Sequence, residues 1–319
     1  MRSAILYGAH DFRIEERPQP EIKSNEYLIK IRACGVCHSE IHQWNEKIKD
    51  LDYPRFIGHE VAGEIIDAGK DTKRFNPGDR VAAWTNGKGY SEIITLKENM
   101  LFPVAPDISF HHAMAEPIAC TTNGVIKADI QLQDTVALVG TGFMGLILLQ
   151  QIKFTGASKI IAVDVRDEML AMAKNLGADV TINPLKEDYK KIIKDLTDGK
   201  GVDVSFEIGG NEATLNLAAE ICRMEGKLVI FGFHPGQRTI KDLGYWNWMA
   251  FDIINAHFRN IDTILNGSRI GMDMLNAKKI NMEPLITHLF NLEQIEEAFT
   301  VARDKPKGFV KSVIVFNGN

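Results

Sequence analysis

The sequence predicts an α/β protein of two domains, one built on a doubly wound parallel sheet and the other mostly of β-strands. A length of 319 residues is enough for two separate hydrophobic cores. Between about residues 119 and 257, buried strands alternate with helices, which is the pattern of a doubly wound sheet. Short strands separated by turns occupy both flanks. We therefore predict one domain at 119–257 and a second at 1–118 joined with 258–319.

The flanking segments predict the mostly β domain. Residues 26–32 and 58–66 alternate apolar and polar side chains with a period of two, as half-buried strands do. Residues 76–79, Asn-Pro-Gly-Asp, predict a turn, because proline presets φ and glycine accepts a positive φ. Further strands are predicted at 81–84 and at 309–316. We expect the C-terminal strand to rejoin the N-terminal segments.

The central segment predicts the parallel sheet. Val136–Val139 is a continuous apolar run, which suits a parallel strand buried on both faces. Strands and helices then alternate, with strands at 159–164, 179–182, 202–207 and 227–231 and helices at 146–155, 167–176 and 211–224. This alternation is typical of βαβ units.

The composition limits the classes of function. Hydrophobic residues make up 45% and charged residues 25% of the chain, which is ordinary for a soluble globular protein. A formal net charge of −5 gives no basic face, so we expect neither nucleic acid nor a membrane as partner. No apolar run approaches the roughly 18 residues of a membrane span. The charged segment 11–17 begins too soon after Met1 to leave room for the apolar region of a signal peptide. We therefore expect a cytoplasmic protein.

A glycine-rich turn predicts a dinucleotide site in the Rossmann manner. It has the form Gly-x-Gly-x-x-Gly between a predicted strand and a predicted helix, so its backbone can approach a pyrophosphate at the helix N-terminus. Asp164, at the tip of the next strand, can bond both ribose hydroxyls and repel a 2′-phosphate, which favours NAD over NADP. Arg166 weakens that preference. The residues expected to contact the coenzyme here are Gly140, Gly142, Phe143, Met144 and Gly145.

A second set of residues predicts a catalytic zinc ion. Cys37 offers a thiolate, His59 an imidazole, and Glu60 and Glu116 offer carboxylates, while a catalytic zinc keeps one position open for substrate. One alternative is covalent haem, because residues 34–38 match C-x-x-C-H. We disfavour it, since covalent haem would require export and a doubly wound sheet is an unusual cytochrome. We assign packing roles to Cys34 and Cys222.

The motifs together resemble those of the zinc-containing medium-chain dehydrogenase/reductases, particularly the polyol (sorbitol) and threonine dehydrogenase branch. The resemblance covers essentially the full length. It implies a Rossmann domain and a mostly β, GroES-like catalytic domain. The motifs that carry it are Cys-Gly-Val-Cys-His-Ser-Glu-Ile-His, Gly-His-Glu-Val-Ala-Gly, Pro-Gly-Asp-Arg-Val, Glu-Pro-Ile-Ala-Cys, the glycine-rich turn and Pro-Leu-Ile-Thr-His.

The resemblance implies roles for individual residues around the metal. Cys37 and His59 match the thiolate and imidazole ligands. Glu60 matches a carboxylate that is a ligand in polyol-type members and a neighbour in others. Glu116 matches a glutamate of the polyol dehydrogenases, where it would bind zinc directly or hold the metal-bound water.

The resemblance also implies a proton path and a nicotinamide contact. Ser39 matches the hydroxyl that bonds the substrate alkoxide, and His42 matches the relay to solvent. Ile208, Gly232 and Phe233 lie in the loops where the family's backbone meets the nicotinamide.

The sequence departs from the family pattern at two places. Between residues 81 and 90 it lacks the lobe whose four cysteines usually bind a structural zinc, so we predict one zinc ion per chain. Glu40 replaces the aspartate that commonly supports the histidine ligand. The longer side chain could shift the metal geometry or require a compensating change nearby.

These features predict reversible oxidation of a secondary alcohol (a polyol, a sugar-derived alcohol or a cyclitol) to a ketone with NAD. Three alternatives stay open: a threonine-type amino-alcohol dehydrogenase, a zinc-free reductase on the same fold, and a non-catalytic NAD-binding protein. We also expect a homodimer or homotetramer, because the sheet edge after Phe231 could pair with its counterpart in a second subunit.

Overall fold

The computed structural model describes residues 1–45 and 51–316. Its strands are β1 Arg2–Leu6, β2 Phe12–Glu16, β3 Glu26–Gly35, β4 Glu60–Ala68, β5 Arg80–Trp84, β6 Ile93–Lys97, β7 Leu101–Pro103, β8 Thr135–Val139, β9 Lys159–Val163, β10 Val180–Ile182, β11 Val202–Glu207, β12 Cys222–Ile230, β13 Asp252–Asn255, β14 His288–Phe290 and β15 Ser312–Val315. Its α-helices are α1 His38–Trp44, α2 Ala115–Ala128, α3 Phe143–Ile152, α4 Asp167–Leu176, α5 Tyr189–Leu196, α6 Glu212–Ile221, α7 Leu243–Met249, α8 Ile261–Asn276 and α9 Ile295–Asp304. Short 3-10 helices lie at Glu98–Met100, Phe110–His112, Glu283–Leu285 and Leu292–Gln294.

The chain forms two compact units. The first comprises Met1–Ala119 together with the segment from Ile261 onward, and the second comprises Cys120–Asn260. The domain limits predicted from the sequence, after residues 118 and 257, lie near these positions and stay predictions. Within the described ranges 1–45 and 51–316, no helix is long and apolar enough to cross a membrane.

The first unit is built on a sheet in the order β14-β15-β3-β4-β5-β7, with β6 also paired to β3. β3 is buried along most of its length, because it has neighbours on both sides. β15 pairs antiparallel with β3, with Val313 opposite Gly35, so the C-terminal strand rejoins the N-terminal segments as predicted. One end of β3 is therefore enclosed by both β4 and β15.

An aromatic cluster fills the core of the first unit. Trp44, Tyr90 and Phe299 are each at most 1% exposed. The ring of Phe299 lies 5.7 Å from the ring of Trp44 and 5.8 Å from that of Tyr90. Such tilted and edge-to-face pairs stabilise a core beyond the simple burial of their area. The cluster fixes α1 and the segment before β6 against α9.

The second unit is the doubly wound parallel sheet that the sequence predicts. Its strand order is β10-β9-β8-β11-β12-β13, and each neighbouring pair is parallel. β8 has four fully buried residues out of five, which explains its continuous apolar sequence. Successive strands are added in one direction from β8 to β10 and in the opposite direction from β11 to β13, so the strand order reverses between β8 and β11. In such sheets ligands bind beyond the carboxyl ends of the strands at this switch point.

Two of the predicted helices have wrong boundaries. The helix predicted at 146–155 begins earlier, at Phe143, because Gly142 already serves as its N-cap, and it also ends earlier, at Ile152. The helix predicted at 211–224 ends at Ile221, and Cys222 begins β12 instead. The reason is tertiary: Cys222 pairs with Val202 of β11, and this sheet contact overrides the local helical pattern.

Candidate functional site

A thiol, an imidazole and a carboxylate meet where β3 and β4 pair. Cys37 follows β3 and is the N-cap residue of α1, while Glu60 begins β4 and His59 directly precedes it. The antiparallel register sets Gly35 opposite Glu60, so backbone pairing brings the two segments together. One ligand atom from each of Cys37, His59 and Glu60 lies within 4.8 Å of the others. These donor types fit a zinc ion.

The ring of His59 is held through its Nδ1 atom. Nδ1 lies 2.8 Å from Oε1 of Glu40, which also accepts a hydrogen bond of 2.6 Å from the backbone N–H of Gly58. Burial lowers the pKa of His59, but the negative charges of Glu40 and Cys37 outweigh it and raise that pKa well above its ordinary value. Since Nδ1 is engaged, Nε2 is the ring nitrogen available to a metal ion. Glu40 therefore supports the histidine despite its extra methylene.

Ser39 and His42, the predicted proton path, both lie on α1. Oγ of Ser39 is 3.2 Å from Sγ of Cys37, and the Ser39 side chain is half-buried. His42 is 7% exposed, and its ring lies 4.6 Å from the ring of His38, one turn earlier. The structure thus places Ser39 beside Cys37 and His42 further along the same helix, while their roles stay predictions.

A buried ion pair joins the cluster to the C-terminal strand. Nζ of Lys311 donates a hydrogen bond of 2.8 Å to Oε1 of Glu60 and lies 2.6 Å from Oε2. Both side chains are nearly inaccessible, at 7% and 2% exposure. Burial lowers the pKa of Lys311, but the charges of Glu60, Cys37 and Glu116 raise it above its ordinary value. Sequence reasoning missed Lys311, although a single lysine within the apolar run 309–316 was the available signal.

Glu116 lies in the first turn of α2. Its negative charge helps to raise the pKa of Lys311, so Glu116 lies near the same site. Within residues 1–45 and 51–316, however, the close set of ligand atoms consists of Cys37, His59 and Glu60 and does not include Glu116. The geometry therefore favours Glu60 over Glu116 as the third donor.

The glycine-rich turn of the second unit joins β8 to α3. Gly140 has a φ of +107°, which favours glycine. A Cβ atom on Gly145 would lie 2.2 Å from the carbonyl oxygen of Gly140, so any larger residue would push the turn apart. Phe143 and Met144 begin α3, where backbone N–H groups lack helical partners and can bind an anion.

Asp164 follows β9 and lies beside the glycine-rich turn. Its Oδ2 accepts a hydrogen bond of 2.8 Å from the backbone N–H of Thr141, and its Oδ1 accepts one of 3.0 Å from the N–H of Arg166. The Arg166 guanidinium also lies 3.5 Å from Oδ1. The predicted discriminator between NAD and NADP is thus a carboxylate with an arginine at its side.

The remaining predicted coenzyme residues lie at the carboxyl ends of β11 and β12. Ile208 follows β11, while Gly232 and Phe233 lie in the loop after β12. Glu207, the last residue of β11, is fully buried and accepts bonds from the Gly210 N–H, the Thr214 hydroxyl and His234, at 2.7, 2.6 and 2.7 Å. Sequence reasoning missed Glu207, which ties these loops together.

The Lys311–Glu60 pair gives a first prediction. In chelator-treated protein, Lys311→Met should lower the free energy of unfolding by about 3–5 kcal/mol, because it leaves a buried carboxylate without its cation. Lys278→Met is the matched control: Lys278 pairs with Asp107 at the surface, with both side chains more than half exposed, so its loss should cost about 0–1 kcal/mol. Urea unfolding measures both. Equal effects of the two substitutions would contradict a structural role for the buried pair.

Comparison with known proteins identifies the family of the chain. The family model of the alcohol dehydrogenase GroES-like domain matches residues 23–129. The family model of the zinc-binding dehydrogenases matches residues 144–276. A sorbitol dehydrogenase of Bacillus subtilis is 29% identical over 93% of this chain and 92% of its own length. An L-threonine 3-dehydrogenase of Pyrococcus horikoshii is 29% identical over 97% and 96%.

A solved structure shares the whole fold. It is an oxidoreductase/dehydrogenase of unknown specificity from Escherichia coli, with a TM-score of 0.89, 25% sequence identity and coverage of 99% of both chains. The family models therefore match residues in both units, and the structural match covers 99% of the chain. The chain belongs to the zinc-binding alcohol dehydrogenases of the medium-chain dehydrogenase family.

Proposed function

We propose that the protein is a zinc- and NAD-dependent dehydrogenase that reversibly oxidises a secondary alcohol, of the polyol, sugar-derived or cyclitol class, to a ketone. The observation that carries the proposal is the close set of Cys37, His59 and Glu60. These residues would hold one zinc ion. A zinc ion there supplies Lewis-acid polarisation of the substrate hydroxyl.

The chain's own residues would move the proton. In this proposal Oγ of Ser39 accepts a hydrogen bond from the substrate hydroxyl and takes that proton while it passes its own hydroxyl proton on toward His42, as the hydride leaves the carbinol carbon. His42, further along α1, receives the proton that Ser39 releases. The ion pair with Lys311 fixes the orientation of the Glu60 carboxylate, and Glu116 interacts electrostatically with the same lysine. When bound, the nicotinamide coenzyme is the hydride acceptor.

The coenzyme preference is proposed from Asp164. Its carboxylate lies beside the glycine-rich turn, where it can accept bonds from ribose hydroxyls and repel a 2′-phosphate. Arg166 lies close enough to reduce that repulsion. We therefore propose a preference for NAD over NADP that is smaller than an isolated aspartate would give.

The substrate class rests on the relatives. Sorbitol, erythritol and arabitol-phosphate dehydrogenases are among the curated proteins that the chain resembles, at 26–29% identity. Amino-alcohol oxidation is the second candidate, because the L-threonine 3-dehydrogenase is equally similar at 29%. Both candidates need the same metal site.

Zinc and activity should be lost together in Cys37→Ala. Wild-type protein purified without chelator should contain one zinc ion per chain. It should also reduce NAD faster than NADP with at least one member of a panel of polyols, cyclitols and L-threonine. Cys34→Ala is the control, because Cys34 is fully buried and lies outside the ligand set, so it should keep its zinc. Metal analysis and coenzyme absorbance provide the readout. Activity that survives Cys37→Ala would contradict the mechanism.

The glycine-rich turn permits a test that separates folding from coenzyme binding. A Cβ on Gly142 would meet only the Arg166 guanidinium, at 3.6 Å, so Gly142→Ala should fold normally. Its methyl group would still obstruct the pyrophosphate, and NADH binding should weaken about tenfold or more. Gly145→Ala should instead cost about 1–3 kcal/mol of stability through its clash with Gly140. Fluorescence titration and thermal unfolding distinguish the two. Unchanged NADH affinity in Gly142→Ala would contradict the proposed pyrophosphate position.

We also propose that copies of the chain associate along β13, as a homodimer or as the dimer within a homotetramer. β13 is the edge strand of its sheet. Apolar side chains are exposed on and near it, with Ile253 48% and Trp248 77% exposed. Unpaired strand edges with apolar side chains favour such pairing.

Ile253→Lys should therefore shift the protein to a smaller species in analytical ultracentrifugation. A charge placed on the edge strand would be buried without a partner in the interface. Leu132→Lys is the control, since Leu132 is 85% exposed elsewhere in the same unit and should leave the mass unchanged. An Ile253→Lys protein with the wild-type mass would exclude association through β13.

A further inference from the structure

Glu40 makes contacts through both carboxylate oxygens, although only one of them faces His59. Oε1 accepts from Nδ1 of His59 and from the N–H of Gly58. Oε2 accepts a hydrogen bond of 2.7 Å from the hydroxyl of Tyr90. Glu40 is 1% exposed, so this hydroxyl takes the place of the water that an exposed carboxylate oxygen would bind. The orientation of the carboxylate thus depends on Tyr90 as well as on His59.

Tyr90 has the properties of a fixed hydrogen-bond donor. Burial, followed by the charge of Glu40, raises the pKa of Tyr90 well above its ordinary value, so the phenol keeps its proton. Its oxygen also lies 3.1 Å from the carbonyl of Gly35, but the single proton favours the charged and nearer acceptor, Glu40. The ring packs edge-to-face against Phe12 and Phe299 at 6.2 and 5.8 Å.

The backbone around Tyr90 is also fitted to the ligand segment. Gly58, directly before His59, has a φ of +96°, and a Cβ there would lie 2.7 Å from the backbone nitrogen of Tyr90. On the other side, the carbonyl of Tyr90 accepts a hydrogen bond of 2.8 Å from the N–H of Ala4. The close approach of Gly58 and the backbone hydrogen bond from Ala4 together fix the position of the Tyr90 backbone, so its phenol has little freedom to move.

We propose that Tyr90 is a positioning residue of the metal centre, whose hydroxyl holds Glu40 so that Glu40 fixes the ring orientation and tautomer of His59. The inference rests on the zinc centre proposed above and adds a third member to the hydrogen-bond chain. This series of hydrogen bonds runs from the hydroxyl of Tyr90, whose ring lies in the aromatic core, through the buried carboxylate of Glu40 to Nδ1 of His59. Groups that bond a metal-ligating histidine in this way commonly change metal affinity 10–100-fold when they are removed.

The direct test is Tyr90→Phe, which removes one hydroxyl and keeps the ring. We expect the zinc dissociation constant, measured by competition with a chromophoric chelator, to rise by up to about 10-fold, the lower end of the effect of the direct partners, because Tyr90 acts on His59 through Glu40. The visible absorption bands of the cobalt(II)-substituted protein should also change, because they report the geometry of the ligands and do not depend on turnover.

Tyr27→Phe is the matched control. Tyr27 is equally buried in the same unit, and its hydroxyl donates to Glu98 at 2.9 Å and accepts from the N–H groups of Arg74 and Phe75. Its loss should lower the unfolding temperature and leave zinc affinity and the cobalt spectrum unchanged. Equal weakening of zinc binding by Tyr27→Phe and Tyr90→Phe would reduce the effect to general destabilisation and overturn the inference.

Glu40→Asp gives a second route should Tyr90→Phe fail to fold. The shorter carboxylate cannot span His59 and Tyr90 together, so zinc binding should weaken in this variant too. Where both fold, adding Glu40→Asp to Tyr90→Phe should cost less than it does alone, since the shared contact is already lost. Wild-type affinity in Glu40→Asp, or in Tyr90→Phe with an unchanged cobalt spectrum, would overturn the role of Tyr90. A wild-type protein that binds no zinc would instead contradict the proposed metal centre itself.

Discussion

Acidic groups crowded into a buried space are the constraint on which the rest of the first unit depends. The pairing of β3 with β4 brings Cys37, Glu40 and Glu60 to one end of the sheet, where both glutamates are about 1% exposed. Negative groups in such a place are costly unless positive charge and hydrogen bonds offset them. His59 pairs with Glu40, and Lys311 pairs with Glu60. A metal cation bound to Cys37 would complete this balance.

The same constraint explains why distant parts of the chain meet at this site. Lys311 comes from the far end of the sequence, directly before β15, and β15 is fixed there by its antiparallel pairing with β3. Tyr90 arrives from the segment before β6 and is fixed by the aromatic core. The strand ladder and the core thus deliver the cation and the hydrogen-bond donor that the acidic cluster needs, and the fold and the site depend on each other.

In the second unit, backbone geometry sets the features that would bind a negative ligand. Gly140 takes a positive φ and Gly145 has no room for a side chain, so the turn after β8 presents the N-terminus of α3. Glu207 then fixes the neighbouring loops with three hydrogen bonds from inside the sheet edge. The features that would favour a pyrophosphate are therefore conformational, whereas those that would favour zinc are side-chain donors.

Local patterns were sufficient to predict much of this fold. The bounds of α4 and β11 agree with their predictions, because helical and strand periodicity coincide there with sharp turns. That Cys37, His59 and Glu60 come together was predictable because they lie in two short motifs whose strands pair. The end of α6, the role of Glu207 and the partners Lys311 and Tyr90 were not, since sheet pairing and core packing between distant segments decide them.

X-ray absorption at the zinc K-edge tests the central claim most directly, because it reports the ligand atoms without requiring a known substrate. A zinc ion held by Cys37, His59 and Glu60 should show one sulfur at about 2.3 Å and its other ligands as nitrogen or oxygen at about 2.0–2.2 Å. The sulfur contribution should vanish in Cys37→Ser. Zinc with two or more sulfur ligands, or a wild-type protein whose zinc has none, would contradict the proposed centre.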